Sequence, residues 1–214
     1  MDITHLRKDY CKTGLKREDL DNSPFAQFNK WFEQAQTANL DEPNAMSIST
    51  VSADGEPSSR TVLLKLYDDR GFVFFTNYNS QKAKEIEHNS RVALLFPWLA
   101  LERQIRISGR AEKISNKESF NYFTSRPQGS QIGAWISPQS QIIESRDFLK
   151  SKLAEMKAKF SSGKIPLPNA WGGYRIVPHK FEFWQGRSNR LHDRFVYEKT
   201  KDNQDSWNIH RLAP

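Results

Sequence analysis

Short segments in which apolar and polar residues alternate, separated by turn residues, recur along most of this chain and restrict it to a largely antiparallel β fold. In the first segment Met46, Ile48 and Thr50 share one face, and Asp54-Gly55 then forms a turn before a β-rich run over 60–67. A period of two flanking such a turn is typical of a β-hairpin. The same reasoning predicts further strands over 72–77, 91–96, 104–111, 174–184, 194–198 and 207–212.

Four helices are predicted around these strands. One begins at Ser23-Pro24, one covers 80–89, and one begins at a capping box formed by Ser115 and Glu118 and runs to about residue 125. The fourth covers 144–160, and its predicted buried side consists of Phe148, Leu149, Leu153, Met156 and Phe160. The Pro- and Gly-rich stretch 161–173 is predicted to be a loop. The chain is therefore expected to be mainly β with peripheral helices (α+β), a barrel in one domain over 21–214 preceded by a charged arm over 1–20.

The formal net charge of +7 permits nucleic acid, an anionic membrane surface or a phosphorylated small molecule as partner. Lysine and arginine are interleaved with acidic residues, which argues against nucleic acid. With Cys11 as the one cysteine, no intrachain disulfide is possible, and this fits a reducing compartment. The N-terminus lacks the apolar core of a signal peptide, and the longest apolar run, 92–101, is about half a membrane span. We therefore expect a cytoplasmic protein that does not bind membranes.

Several common chemistries lack their motifs. No Gly-rich dinucleotide fingerprint follows a predicted strand, and Ser162-Gly163-Lys164 lacks the earlier glycine and the final Ser or Thr of a phosphate loop. The five histidines are scattered and give no metal-ligand spacing, so no metal site is predicted. A Gly-x-Ser-x-Gly elbow is also missing. Nicotinamide, P-loop, zinc and serine-hydrolase enzymes are all disfavoured.

Three segments carry basic and hydroxyl groups in suggestive patterns. Arg60 and Lys65 bracket an apolar strand, which is also what a core strand with charged ends looks like. Tyr122 and Arg126 are four residues apart on a predicted helix and Ser130 follows, a set that suits a phosphate clamp or a helix C-terminus with a compensating arginine. The third segment, 183–194, places four Arg and His side chains close to a tryptophan. That density suits an anionic planar ligand, with a solvated basic hairpin as the alternative.

The chain resembles the pyridoxine/pyridoxamine 5'-phosphate oxidase family over nearly its whole length, from 5–7 to 211–214. The resemblance rests on ordered motifs at 60–65 (RTVLLK), 125–127 (SRP), 130–135 (SQIGAW), 166–168 (PLP), 171–173 (WGG), 183–186 (FWQG) and 190–194 (RLHDR). It implies an FMN-binding split β-barrel that works as a homodimer with FMN at the subunit interface. It also implies oxidation of pyridoxamine or pyridoxine 5'-phosphate to pyridoxal 5'-phosphate, with oxygen reduced to hydrogen peroxide.

The resemblance also assigns site residues by position. FMN would be lined by Arg60, Thr61, Val62, Leu63, Leu64 and Lys65 and held by Phe75, Thr76, Gln81 and Lys82, with Gln104, Gln139, Ser140, Trp184 and Arg194 added from the partner subunit. The substrate phosphate would meet Lys65, Tyr122, Arg126 and Ser130. Arg190 and His192 would be the catalytic residues over the substrate ring, and the segment from Arg7 to Tyr10 would act as a lid that also contacts substrate.

Two positions depart from the family pattern. Phe75 stands where tyrosine is common, and Gln81 stands where arginine is common, so one positive charge near the expected FMN phosphate is missing. Three alternatives remain open at this point: another split-barrel flavoprotein of the flavin-reductase or deazaflavin type, a non-catalytic FMN or pyridoxal-phosphate carrier, and a basic nucleic-acid-binding barrel.

Overall fold

A single antiparallel sheet organises the computed structural model, which describes residues 1–5, 9–10, 13–161, 163–200 and 206–214. Within these residues the sheet has nine strands in the order β2-β1-β5-β6-β7-β4-β3, and β8 pairs with both β7 and β9. The strands are β1 (Ala45–Val51), β2 (Pro57–Leu63), β3 (Leu66–Asp68), β4 (Gly71–Asn77), β5 (Arg91–Trp98), β6 (Arg103–Lys113), β7 (Trp171–Gln185), β8 (Asp193–Lys199) and β9 (Trp207–Leu212). The predicted antiparallel β architecture is confirmed.

Five helices pack around this sheet in the described part of the chain: α1 (Pro24–Thr37), α2 (Gln81–His88), α3 (Asn116–Ser125), α4 (Gln128–Ile136) and α5 (Arg146–Lys159). The predicted starts of α1 and α3 are confirmed: the Ser23 hydroxyl accepts from Ala26 N, and Ser115 and Glu118 form a reciprocal capping box. Among the described residues, no helix is both long enough and apolar enough to span a bilayer.

The main core lies between α1 and the sheet. Phe28, Trp31 and Ala35 recur at helical spacing on α1 and are at most 2% exposed. The Phe28 ring packs edge-on against Phe72 of β4 at 4.8 Å, and Trp31 meets Phe183 of β7 at 5.2 Å. Burying each such side chain contributes about 2–3 kcal/mol, which fixes the helix on the sheet. Leu15 and Leu20 also reach this core, so the last part of the predicted arm is packed there.

Strand β7 connects two regions of the molecule. Its first residues, from Trp171 to Ile176, pair with β4, and its last residues, from Lys180 to Gln185, pair with β8, while β6 runs along most of its length. A register shift between Ser108 and Gly109 of β6 bends the pair. The two ends of β7 therefore face different neighbours.

The structure corrects four details of the sequence reasoning. Helix α4 was not predicted, because Gly129 and Gly133 lower its helix propensity. Strand β7 begins at Trp171, inside the predicted loop, and contains Gly172 because a Cβ there would lie 2.2 Å from the Tyr78 hydroxyl. Phe148 of α5 is 40% exposed, because α5 packs on a small second core rather than on the main core. This second core is made by Phe123, Ile132, Phe160, Ile165 and Trp171.

The fourth correction concerns Arg126. Helix α3 ends at Ser125, and Arg126 adopts an extended conformation (φ −77°, ψ 149°) as its C-cap. Pro127 follows, and the residue before a proline is disfavoured in helical geometry. Arg126 therefore does not share a helical face with Tyr122, although both side chains reach the same cleft.

Candidate active site

A cleft of about 440 Å³ opens where the ends of β2 and β4 meet α2, α3 and α4. Eleven of the residues assigned by resemblance line it: Thr61, Val62, Leu63, Lys65, Phe75, Thr76, Lys82, Tyr122, Arg126, Ser130 and Gln139. The remaining lining residues are Asn77, Gly133, Ala134, Ser137 and Trp171. Three of these side chains are cationic and none of the lining residues is acidic. The electrostatics of the cleft favour an anionic ligand.

Lys82 is fixed at one wall of the cleft. It lies in the first turn of α2, is 7% exposed, and its Nζ donates to Thr76 Oγ1 at 3.3 Å. Burial and then the nearby charge of Arg60 lower the pKa of Lys82, while Glu85 acts in the opposite direction. An anion next to this ammonium would relieve both unfavourable effects.

A second wall of the cleft is aromatic. The rings of Phe75 and Tyr122 stack with centroids 3.9 Å apart, and Phe75 stacks on Trp171 at 5.3 Å. Arg126 places its guanidinium carbon 4.8 Å from the centre of the Trp171 ring. Burial lowers the pKa of Arg126, although a guanidinium stays charged at neutral pH.

Arg126 also carries an unsatisfied donor. Its Nη1 is buried and has no hydrogen-bond partner in the described part of the chain. A buried unpaired donor of this kind costs about 1–3 kcal/mol, more when charged. The cost is removed if an anion in the cleft accepts the hydrogen bond, so the geometry prepares Arg126 for such a ligand.

Gln139 belongs to the cleft of its own chain. Its Oε1 accepts from Thr76 Oγ1 at 3.1 Å and from Asn77 N at 3.3 Å. The resemblance had implied a contribution from the partner subunit. Ser140, the next residue, is exposed in a left-handed conformation with φ 67° and does not line the cleft.

Three other assigned residues, Arg60, Leu64 and Gln81, do not line the cleft. Leu64 is 4% exposed in the main core. Arg60 Nη2 lies 3.3 Å from Glu85 Oε2, and Gln81 Nε2 donates to Glu85 Oε1 at 2.8 Å. Glu85 thus contacts both Arg60 and Gln81, which the resemblance assigned to the cofactor site.

A separate group of assigned residues lies at the far end of β7. Gln104 of β6, Trp184 of β7 and Arg194 of β8 are direct neighbours across three adjacent strands. Arg194 is held by Glu182, whose Oε1 accepts from its Nε at 2.9 Å, and by the carbonyl of Ala213 at 2.8 Å. These strand pairings hold Gln104, Trp184 and Arg194 in one row on the same face of the sheet.

The loop after β7 adds a histidine to this second group. The His192 ring lies 4.6 Å from the Trp184 ring, and its Nδ1 accepts from the backbone N–H of Arg187 at 3.1 Å. A neutral imidazole that accepts at Nδ1 carries its proton on Nε2, so Nε2–H is the group available to a ligand. Arg190 is exposed in a left-handed conformation, with φ 61°.

The N-terminal arm covers this histidine. The Tyr10 ring meets the Trp184 and His192 rings edge-on at 5.8 and 5.7 Å. Its place depends on Gly186, where a Cβ would lie 2.8 Å from Tyr10 Cγ. Arg7, the other predicted lid residue, lies outside the described residues.

The assigned residues therefore form two groups within one chain. None of Gln104, Trp184, Arg190, His192 and Arg194 lines the cleft. Trp171 in the cleft and Trp184 in the second group are thirteen residues apart on β7, which is roughly 40 Å for a straight strand.

Two residues at the site were not predicted from the sequence to have a functional role. Trp171 was noted only as part of a motif, and its role as the platform for Arg126 depends on a tertiary contact. Glu85 gave no local signal, because an acidic residue in a charged helix is usually solvated.

Comparison with known proteins identifies relatives along the full chain. Residues 32–160 match the family model described as pyridoxamine 5'-phosphate oxidase, and residues 171–214 match the pyridoxine 5'-phosphate oxidase C-terminal dimerisation region. Pyridoxine/pyridoxamine 5'-phosphate oxidases of Crocosphaera subtropica and Vesicomyosocius okutanii are 62% and 60% identical, over 100% of this chain and 100% and 99% of theirs.

Solved structures agree with this result. PhzG from Burkholderia lata, crystallised with tetrahydrophenazine-1-carboxylic acid, superposes with a TM-score of 0.88 at 29% identity over 97% of this chain and all of that one. A pyridoxamine 5'-phosphate oxidase-related, FMN-binding protein from Nostoc punctiforme has the same fold, with a TM-score of 0.71 at 15% identity over 90% and 98% of the two chains. On these matches, the chain belongs to the pyridoxine/pyridoxamine 5'-phosphate oxidase family.

Proposed function

We propose that this chain oxidises pyridoxamine 5'-phosphate or pyridoxine 5'-phosphate to pyridoxal 5'-phosphate, with FMN as cofactor and oxygen as electron acceptor. Each turnover converts one molecule of oxygen to hydrogen peroxide, and the amine substrate also takes up water and releases ammonia. The observation that carries the proposal is the cleft, whose described lining has three cations and no carboxylate, and in which Arg126 keeps a buried donor that no described residue pairs. The full-length relatives supply the reaction class.

The cleft fits the chemical demands of FMN. Its volume of about 440 Å³ lies within the range of small-molecule sites. Lys82 and Thr76 supply a cation and a hydroxyl for a phosphate, and the strand end from Thr61 to Leu63 offers an edge for a flat ring. When bound, FMN supplies the capacity to accept a hydride and pass electrons to oxygen.

The substrate phosphate is assigned to the cation and hydroxyls beside the aromatic wall. Arg126, Tyr122 and Ser130 line one part of the cleft, and Lys65 adds a second positive charge. A guanidinium with hydroxyl partners binds a phosphate through charge-assisted hydrogen bonds. Fixing the phosphate far from the reacting carbon orients that carbon for reaction.

The remaining residues require a second subunit. Arg190 and His192 are remote from the cleft along β7, and the segment that carries them matches a dimerisation region. We propose a homodimer in which this loop of one subunit covers the cleft of the other. His192 then presents Nε2–H to the substrate and orients it, and Arg190 adds positive charge above the ring.

An oxygen-consumption assay tests this function. Purified protein is saturated with FMN, its visible spectrum is recorded, and each 5'-phosphate substrate is added with aldehyde and peroxide as readouts. A bound-flavin spectrum with stoichiometric aldehyde and peroxide is expected. Bound flavin without turnover contradicts an oxidase and favours a carrier or a flavoprotein of another specificity, and failure to bind flavin contradicts the proposal altogether.

A further inference from the structure

The buried residue Glu85 lies at the centre of a polar cluster, one turn along α2 from the cleft residue Lys82. Its carboxylate is 5% exposed, between α2 and the hairpin of β1 and β2. It accepts from Thr50, from Ser58 Oγ at 2.8 Å and from Gln81 Nε2 at 2.8 Å, and Arg60 completes the cluster at 3.3 Å. A buried carboxylate with this many donors is held firmly in its ionised form.

Arg60 is committed to this cluster. Its Nη1 donates to Thr50 and its Nη2 to Ser58 Oγ at 2.5 Å, beside the ion pair with Glu85. The guanidinium does not line the cleft, although Lys82, one turn before Glu85 on α2, does. The charges of Arg60 and Glu85 both act on Lys82, so the three groups form one electrostatic unit with a net charge of +1.

We propose that Glu85 is a positioning residue that serves as the resident counter-ion of this unit, competing with the phosphate end of the cofactor for Arg60 and so weakening recognition of that phosphate. An entering phosphate shares Arg60 with a carboxylate of like charge. Gln81 brings no compensating charge, because an amide is neutral. Its Nε2–H already donates to the same carboxylate. The inference rests on the proposed binding of FMN.

The test compares FMN with riboflavin, which lacks the phosphate. Both ligands are titrated into the apo full-length protein by flavin fluorescence, and the ratio of the riboflavin Kd to the FMN Kd measures phosphate recognition alone. Glu85→Gln should raise this ratio roughly tenfold, since it removes one negative charge close to two cations in a site of reduced dielectric. A packing defect would weaken the binding of both FMN and riboflavin and leave the ratio of their Kd values unchanged.

Two further variants distinguish the effect of the local charge at position 85 from an effect of packing and from an effect of the protein's overall net charge. Glu87→Gln makes the same charge change at an exposed position of α2 and should leave the ratio at the wild-type value. Glu85→Asp keeps the charge and should also leave the ratio near wild type. An unchanged or reduced ratio in E85Q, or an equal rise in E85D, overturns the inference. If the wild type binds no FMN, the proposed function fails instead.

Thermal unfolding of the apo protein gives an independent test if E85Q is too unstable to titrate. Arg60→Gln leaves the buried Glu85 without its counter-ion, Glu85→Gln does the same to the half-buried Arg60, and each should lower the Tm. The double variant removes both charges, and its Tm should exceed that of either single variant. Additive losses in the double variant would show that Glu85 is not the counter-ion of Arg60, and would overturn the proposal.

Discussion

The guanidinium of Arg126 lies 4.8 Å above the ring of Trp171, and one of its nitrogens is buried with no hydrogen-bond partner among the described residues. The ring supports the cation without consuming its hydrogen-bond donors, because a π face attracts positive charge while accepting no conventional hydrogen bond. This arrangement keeps the donors of Arg126 available to a ligand, and it leads to two predictions.

Arg126→Ala should raise the KM for pyridoxamine 5'-phosphate by roughly 30- to 100-fold, because charge-assisted hydrogen bonds to the phosphate are lost. The Kd for FMN should stay within about twofold of wild type. Steady-state kinetics and flavin titration give the two values, and Arg146→Ala, at an exposed position on α5, is the control. A variant with altered FMN affinity and an unchanged KM would contradict the clamp assignment.

Substitution of Trp171 should act through Arg126. Trp171→Phe keeps an aromatic face and should change the KM by about threefold or less, whereas Trp171→Leu should raise it roughly tenfold. In the Arg126→Ala background the two substitutions should have equal effects on KM, which a four-variant kinetic cycle measures. Persistence of the full difference in that background would assign Trp171 to packing alone.

Gly186→Ala should displace the arm. The added Cβ would lie 2.8 Å from Tyr10 Cγ and separate that ring from Trp184 and His192. We expect a KM raised roughly three- to tenfold and faster proteolysis within the arm, with little change in Tm. Gly163→Ala is the control, because an added Cβ there would meet no described atom within 4 Å beyond its chain neighbours. In the Tyr10→Ala background, Gly186→Ala should have no further effect, and an additive effect would contradict the steric explanation.

The capping box of α3 should make stability depend on pH in acid. Hydrogen bonds from the Ser115 hydroxyl and backbone N–H lower the pKa of Glu118 below 4.5. The stabilisation is therefore present above pH 4.5 and is lost as the pH falls through the folded-state pKa. Glu118→Gln should lower the free energy of unfolding by about 0.3–1 kcal/mol at pH 7, with a gap that closes by about pH 3. Urea unfolding measures this gap, with exposed Glu144→Gln as control, and a gap independent of pH would contradict the assignment.

Alternation of residue types was sufficient to predict strands such as β1 and β5, because one face of each is buried and the other is more exposed. The details that failed depend on information beyond the local pattern. Pro127 ends α3 at Ser125, one residue before Arg126. Helix α4 was not predicted because Gly129 and Gly133 lower its helix propensity, and it is stabilised by tertiary packing of Ile132. Resemblance named most residues of the cleft, and the structure placed Gln139 in its own chain. The cytoplasmic location stays a prediction.

Strand β7, which reaches from Trp171 to Trp184, has a consequence for mixed assemblies. In the proposed dimer each chain contributes its cleft to one site and its Arg190 loop to the other. Two inactive variants can therefore complement each other in a mixed dimer. Arg126→Ala and Arg190→Ala homodimers each have two damaged sites, whereas a mixed dimer concentrates both substitutions in one site and leaves the other intact. Random reassociation of equal amounts makes about half of the dimers mixed, so about a quarter of wild-type turnover should return. No recovery above the parents would mean that each chain builds its site alone.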